Sequence, residues 1–158
     1  MATWEAITEA APDFAQAVRR RFDAHGLATL RRDGSPRISG IEASFRDGEL
    51  WLAGMPGSVK FLDLRRDPRL ALHSASEDPE IWTGDAKVGG RAVAVTDAGA
   101  LAAFAGAGQG SEAPSPGSFE LFRVELSEAV LVQLGDPADH LVIESWHDGT
   151  GLRRVERR

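Results

Sequence analysis

Residues 33–60 read DGSPRISGIEASFRDGELWLAGMPGSVK, and this stretch decides the fold. It holds two Asp-Gly pairs, Asp33-Gly34 and Asp47-Gly48, and each stands beside runs of apolar residues, which is a strong signal for a tight turn between antiparallel strands. The run between them, Pro36 to Phe45, therefore pairs with a strand on either side, and the stretch predicts a three-stranded meander. The outer two strands are residues 27–31 and 49–53.

The end of the stretch, Gly54 to Lys60, carries the chemistry. Ser58 stands where a helix would begin, and a helix start offers unpaired N–H groups and a partial positive charge to an anion. The Ser58 hydroxyl and the Lys60 ammonium would complete a phosphate site, and Arg37 would join them if its strand pairs with residues 49–53. The alternative is a plain Ser-capped helix with a solvent-facing Lys60, and the segment by itself fits both interpretations.

Three helices are predicted in all. The first runs from Pro12 to His25, because apolar residues recur in it at every fourth position. The second follows Ser58 and ends before Asp67-Pro68, and the third is capped by Asp97 and runs to Phe104. The residues predicted to face inward are Phe14, Val18 and Phe22 in the first helix and Phe61, Leu62 and Leu64 in the second.

Further strands are predicted at residues 69–74, 81–95, 119–134, 141–147 and 152–156. Glycines at 84, 89 and 90 predict bulges or corners. An acidic loop at 77–80 and a mobile Gly-, Ala-, Ser- and Pro-rich loop at Gly106 to Gly117 lie between the strands. Many antiparallel strands with two or three small helices predict one mainly β domain over residues 1–158, a barrel or sandwich with helices at its edges.

Composition excludes several functions. The net charge is −6 and the basic residues are scattered among acids, which argues against a nucleic-acid partner. The chain has no cysteine, and its four histidines have no metal-binding spacing, so we expect no metal site. No Gly-x-Ser-x-Gly nucleophile elbow occurs. We see neither a signal peptide nor an apolar membrane span, and we therefore expect a cytoplasmic protein without a membrane partner.

Taken in order, these segments resemble the pyridoxamine 5'-phosphate oxidase-like, FMN-binding split-barrel family. The resemblance covers about residues 14–104. Its pieces are the first helix, Leu27-Ala28-Thr29-Leu30, Asp33-Gly34-Ser35-Pro36-Arg37, Trp51-Leu52-Ala53-Gly54, Gly57-Ser58-Val59-Lys60, Leu64, Asp67-Pro68 and Gly90-Arg91-Ala92-Val93-Ala94-Val95.

The resemblance implies an antiparallel, Greek-key-like split barrel that works as a homodimer. It also implies an oxidoreductase that transfers hydride to or from a small organic substrate, with FMN or the deazaflavin coenzyme F-420 held between the subunits. The residues that match the family's phosphate and ring contacts are Arg37, Ser39, Ser58 and Lys60, and those that match its backbone lining are Ala53 and Gly54. No catalytic side chain is identified.

The sequence also departs from the family. The oxidase of the vitamin pathway has a Ser-Arg-Lys run and tyrosines near its substrate, whereas this chain has Gly57-Ser58-Val59-Lys60 and no tyrosine. Oxidation of pyridoxamine phosphate itself is therefore not expected, and the simpler motif is similar to the deazaflavin-dependent branch. Two alternatives stay open: a non-catalytic protein that binds flavin, haem or another pigment, and a structural dimer with an empty groove.

Overall fold

The computed structural model describes residues 1–22, 25–74, 82–106 and 117–158. Within these ranges the chain forms four helices and nine strands. The helices are α1 (Trp4–Ala10), α2 (Pro12–Arg19), α3 (Val59–Arg66) and α4 (Ala98–Gly106). The strands are β1 (His25–Leu30), β2 (Pro36–Gly40), β3 (Glu42–Arg46), β4 (Glu49–Gly54), β5 (Arg69–Ser74), β6 (Gly84–Ala94), β7 (Glu120–Leu134), β8 (Leu141–His147) and β9 (Gly151–Arg157).

All the strand pairs are antiparallel and belong to one sheet. The main path is β2-β1-β5-β6-β7-β4-β3, and the β8–β9 hairpin joins at β7. The two strands at the ends of this path, β2 and β3, are separated along the chain by Ile41 alone. The sheet therefore curls until its two edges come together, and the predicted mainly β split barrel with peripheral helices is confirmed.

The predicted single strand from Pro36 to Phe45 is wrong, because the chain breaks it at Ile41. The first half, β2, pairs with β1, and the second half, β3, pairs with β4 on the opposite edge of the sheet. One continuous strand could not serve both edges, so the chain bends between the halves. A side chain of β1 contacts the second half: His25 Nε2 accepts a hydrogen bond of 2.7 Å from the Ala43 N–H of β3.

The predicted irregularity in β6 is confirmed at Gly89-Gly90. The pairing of β6 with β7 shifts register between these two residues. A Cβ atom on Gly90 would lie 2.1 Å from the Glu125 carbonyl oxygen, so only glycine lets the two backbones come this close. β6 begins at Gly84, and Ile81, where we predicted the start of the strand, lies outside the described residues.

The first predicted helix is shorter than expected, and another helix precedes it. α2 ends at Arg19, and His25, the predicted end of the helix, instead pairs with Ser74 as part of β1. Phe22 remains buried, as predicted. The unpredicted α1 is capped by Thr3, whose Oγ1 accepts a 3.2 Å hydrogen bond from the Ala6 N–H.

The other two helices lie where they were predicted. α3 buries Phe61 and Leu64 but leaves Leu62 51% exposed, so the prediction that Leu62 faces inward is wrong. The reason is helical geometry: residues three apart share a face, and the residue next to Phe61 points away from it. α4 follows Asp97, whose Oδ1 accepts a 2.8 Å hydrogen bond from the Ala100 N–H.

Aromatic residues form much of the core between the helices and the sheet. Trp4 of α1 packs against Phe45 with ring centroids 4.5 Å apart, and Phe61 of α3 packs against Phe122 at 4.9 Å. No helix of the described residues has the length and apolarity to cross a membrane. The predicted acidic loop at 77–80 lies outside the described residues, as does the predicted mobile loop except for Gly106 and Gly117 at its ends.

Candidate functional site

A groove of about 500 Å³ opens where β4 ends and α3 begins. Four of the six predicted site residues line it, and we call it the α3 groove. The four are Ala53, Gly54, Ser58 and Lys60. Gly40 and Glu42, which flank the break between β2 and β3, lie on the opposite wall. The bend in the barrel edge and the start of the helix therefore create the groove together.

Ser58 has the N-cap position of α3 but does not cap the helix. Its backbone is extended, and its side chain makes no capping hydrogen bond. The Oγ atom is buried and has no hydrogen-bond partner among the described residues. Buried hydroxyls in native proteins are nearly always hydrogen-bonded, so the orphaned Ser58 hydroxyl in the wall of the groove is a candidate donor to a ligand or a water molecule.

Lys60 reaches back from α3 to the edge of the barrel. Its Nζ donates a 2.8 Å hydrogen bond to the Gly40 carbonyl oxygen across the α3 groove. An ammonium group has three donors, and two remain available for an anion in the same groove. The alternative interpretation of Lys60 as a purely solvent-facing side chain is therefore wrong, since the side chain lines the groove and binds its far wall.

Arg37 and Ser39 lie outside the α3 groove. Both stand on β2, whose partner is β1, so the condition under which Arg37 would join the phosphate site, pairing with the 49–53 strand, is not met. Arg37 instead donates from Nε to Asp63 Oδ2 at 2.6 Å. Ser39 is half-buried opposite Leu27.

Asp63 is the centre of a closed polar cluster beneath the same helix. Its side chain is 3% exposed, and it accepts hydrogen bonds from Arg37, from Arg66 Nη2 at 2.8 Å and from Thr29 Oγ1 at 3.0 Å. Burial by itself raises the pKa of the carboxyl, but the hydrogen bonds from Arg66, Arg37 and Thr29 outweigh it and hold the pKa below its ordinary value. The carboxylate stays ionised and ties α3 to β1 and β2.

Two glycines shape the loop between β4 and α3. Gly57 has a φ of 72°, a left-handed conformation that favours glycine, and its N–H donates a 3.0 Å hydrogen bond to Glu120 Oε1 on β7. At Gly54 a Cβ atom would lie 3.2 Å from the Phe61 ring. A side chain at position 54 would therefore press on the Phe61 ring, a reason for glycine that the sequence did not provide.

A second groove of about 330 Å³ adjoins the first and shares Glu42, Ala53 and Gly54 with it. Sequence reasoning missed its other walls, which are Arg46 of β3, Phe104 of α4 and Phe119. The Arg46 guanidinium lies 3.5 Å from the centroid of the Phe104 ring, and the two phenylalanine rings are 6.0 Å apart. We call this second pocket the aromatic groove.

The elements around the α3 groove expose several large apolar side chains. Four such side chains are more than half exposed among the described residues, and all four fall between residues 38 and 62. They are Ile38, Met55, Val59 and Leu62. The first lies on β2, the second on the β4–α3 connection and the other two on α3. Exposed apolar side chains that form one patch mark sites that bind another molecule. The described residues hold no cluster of three or more histidine and acidic side chains that would bind a metal ion.

These features define a split β-barrel with a candidate anion site at the start of a short helix. A sequence profile described as pyridoxamine 5'-phosphate oxidase matches residues 11–133, which is most of the chain. The chain therefore belongs to the pyridoxamine 5'-phosphate oxidase-like family. No curated protein sequence gives a significant match.

Solved structures with the same fold are numerous. A pyridoxamine 5'-phosphate oxidase-related, FMN-binding protein from Nostoc punctiforme PCC 73102 is 14% identical, with a TM-score of 0.65 over 94% of this chain and 96% of its own. PhzG from Burkholderia lata 383 is 18% identical, with a TM-score of 0.61 over 98% and 88%. An F-420 reductase is 22% identical, with a TM-score of 0.55 over 72% and 94%. At these identities the likeness shows the fold.

Proposed function

We propose that the protein is an oxidoreductase that binds a flavin-type cofactor, FMN or a deazaflavin, with the phosphate at the start of α3. The observation that carries the proposal is the orphaned Ser58 hydroxyl in the wall of the α3 groove. Family membership supports a flavin-type cofactor, because the match covers both the groove and the barrel around it. The structures with the same fold include an FMN-binding protein and an F-420 reductase, so both cofactors stay in the proposal.

The residues of the α3 groove fit a phosphate ester. Ser58 would donate its hydroxyl, Lys60 would add a charge-assisted hydrogen bond, and the Val59 and Lys60 amides have no acceptor among the described residues. Ala53 and Gly54 would line the path of the cofactor's body with backbone. The cofactor supplies the hydride chemistry when bound, and the protein holds and orients it. Arg37 and Ser39 stay predictions that rest on the resemblance.

We propose further that the protein works as a homodimer and that a small organic molecule is its substrate. The support is the set of four exposed apolar side chains on β2, on the β4–α3 connection and on α3, since a second copy would cover them. A groove that is open on one side in a single chain would also become enclosed there. Sedimentation of the purified protein measures the mass, and a monomer at micromolar concentration would contradict this part of the proposal.

Lys60 and Lys87 are the only lysines of the chain, and they provide a matched test. Lys87 is exposed on β6 and lies outside both grooves. We expect Lys60→Ala to weaken FMN or deazaflavin binding by about 1.5–3 kcal/mol, the usual value of a hydrogen bond to a charged group, and Lys87→Ala to leave it unchanged. Absorbance titration of each cofactor measures the affinity. Equal affinity in the two variants would exclude the α3 groove as the phosphate site.

The same titration decides between the functions. Tight binding of one cofactor followed by its reduction and reoxidation with small acceptors would support the oxidoreductase. Tight binding without turnover of any acceptor would favour the non-catalytic pigment-binding protein, and binding of neither cofactor would favour the structural dimer.

A further inference from the structure

The aromatic groove has chemistry that the phosphate site does not use. Its walls are two phenylalanine rings, Phe104 and Phe119, inclined to each other by only 28°. Trp51 packs against Phe104 from the sheet with ring centroids 5.7 Å apart, so the Phe104 ring is held from below. Nearly parallel, supported rings form a surface on which a flat apolar molecule would stack.

Arg46 is an unusual arginine in this chain. Four arginines of the described residues are partly buried: Arg21, Arg37, Arg46 and Arg123. Three of them donate hydrogen bonds to protein oxygens at 2.6–3.3 Å, whereas Arg46 donates none to an acceptor in the part of the chain that the structure describes. Its Nε is buried without a partner, and a buried charged donor without an acceptor is costly.

The neighbouring acid does not satisfy Arg46. Glu49 stands directly opposite Arg46 in the β3–β4 register, yet the two form no ion pair. Glu49 Oε1 instead accepts a 3.2 Å hydrogen bond from Arg123 Nη1 on β7. Glu49 Oε2 is likewise buried without a partner among the described residues, so neither the acid nor the guanidinium satisfies the other. Arg46 therefore has donors without an acceptor at the aromatic groove, and its stacking on Phe104 fixes its position there.

We infer that the aromatic groove is the substrate subsite and that it takes a planar aromatic monocarboxylate. The rings of Phe104 and Phe119 would stack on the flat body, and the Arg46 fork would bind the carboxylate. Arg46 is the one basic side chain among the described residues that line the aromatic groove, so the groove offers a cation to a single carboxylate. The inference rests on the proposed function, since the shared wall of the two grooves would bring such a substrate next to a cofactor in the α3 groove.

The probe is 1-naphthoate, titrated calorimetrically into the full-length protein without cofactor and again with saturating FMN. There are two controls, one that changes the ligand and one that changes the protein. The ligand 1-naphthamide keeps the shape without the charge, and Arg32→Gln removes an exposed arginine in the β1–β2 turn. We expect binding of naphthoate to fall about tenfold or more for the amide, for Arg46→Gln and for Phe104→Ala, and to stay unchanged in Arg32→Gln. A second variant, Phe104→Leu, keeps an apolar side chain, and melting curves report whether each variant is folded.

Naphthoate affinity that is equal in wild type and folded Arg46→Gln would overturn the inference. Equal affinity for the acid and the amide, or no binding of naphthoate in either state, would overturn it as well. FMN titrations of the wild type and of Arg46→Gln separate a failure of the substrate subsite from a failure of the proposed function. If FMN binds normally while naphthoate does not bind to the wild type, only the subsite is wrong. If naphthoate binds through Arg46 while neither FMN nor the deazaflavin binds, the subsite stands and the cofactor proposal fails.

Discussion

The two halves of α3 differ in how their polar groups are satisfied. At the first turn the Ser58 hydroxyl is buried without a partner, and Lys60 bridges an open groove. One turn later Asp63 is almost completely buried and accepts hydrogen bonds from three side chains. The hydrogen-bonding groups of one helix are thus paired within the protein at one end and left open at the other. The closed half holds α3 against the barrel, and the open half has donors that stay unpaired among the described residues.

Asp63→Asn tests the closed half and should have the largest effect. The variant keeps the shape but removes the charge that Arg37 and Arg66 both bind. We expect the free energy of unfolding to fall by about 1.5–3 kcal/mol, as measured by urea denaturation. Asp67→Asn is the control, because Asp67 pairs with Arg69 at the surface. If both variants unfolded at the same urea concentration, the closed cluster would not be what secures α3.

Arg37→Gln tests whether Arg37 acts in the closed Asp63 cluster or in the phosphate site. Its Nε bond to Asp63 predicts a loss of about 1 kcal/mol in unfolding free energy, less than for Asp63→Asn because Asp63 would keep Arg66 and Thr29. FMN affinity should change less than in Lys60→Ala. The reverse pattern, normal stability with an FMN affinity as weak as that of Lys60→Ala, would return Arg37 to the phosphate site that the resemblance implies.

Ser58→Ala should have the smallest effect and gives the sharpest contrast. Because the hydroxyl makes no hydrogen bond within the described residues, its removal should change the free energy of unfolding by less than about 0.5 kcal/mol. Cofactor affinity should fall by about 1 kcal/mol, the usual value of one neutral hydrogen bond. A clear loss of stability with unchanged affinity would show that Ser58 acts as an ordinary helix cap.

The sequence was most informative where structure depends on local chemistry. The Asp33-Gly34 and Asp47-Gly48 turns, the cap at Asp97 and the bulge at Gly89-Gly90 follow from the conformations that these residues favour, and each lies where it was predicted. Four of the six predicted site residues share a groove because they flank one β4–α3 connection, which the chain itself keeps together. The short α1 was missed, since its signal is a single Thr cap before seven residues.

The rest depends on partners that are remote in sequence. The break at Ile41 arises because β2 and β3 pair with strands at opposite edges of the sheet, and no residue near Ile41 encodes that choice. The same break moves Arg37 away from the α3 groove. Arg46 and Phe104 meet only because α4 lies over β3 and β4, although alternation along β3 would have placed Glu42 and Arg46 on one face.

The position of β7 has a consequence for how the protein is made. This strand pairs with β4, β6 and β8, and its first residue, Glu120, pairs with Gly54, which lines both grooves. During synthesis the turns and hairpins before it can form as they leave the ribosome, but β4 must wait with one edge unpaired until β7 arrives. The barrel wall beside both grooves is therefore completed late, and a ligand that binds only the folded chain would stabilise it from that step onward.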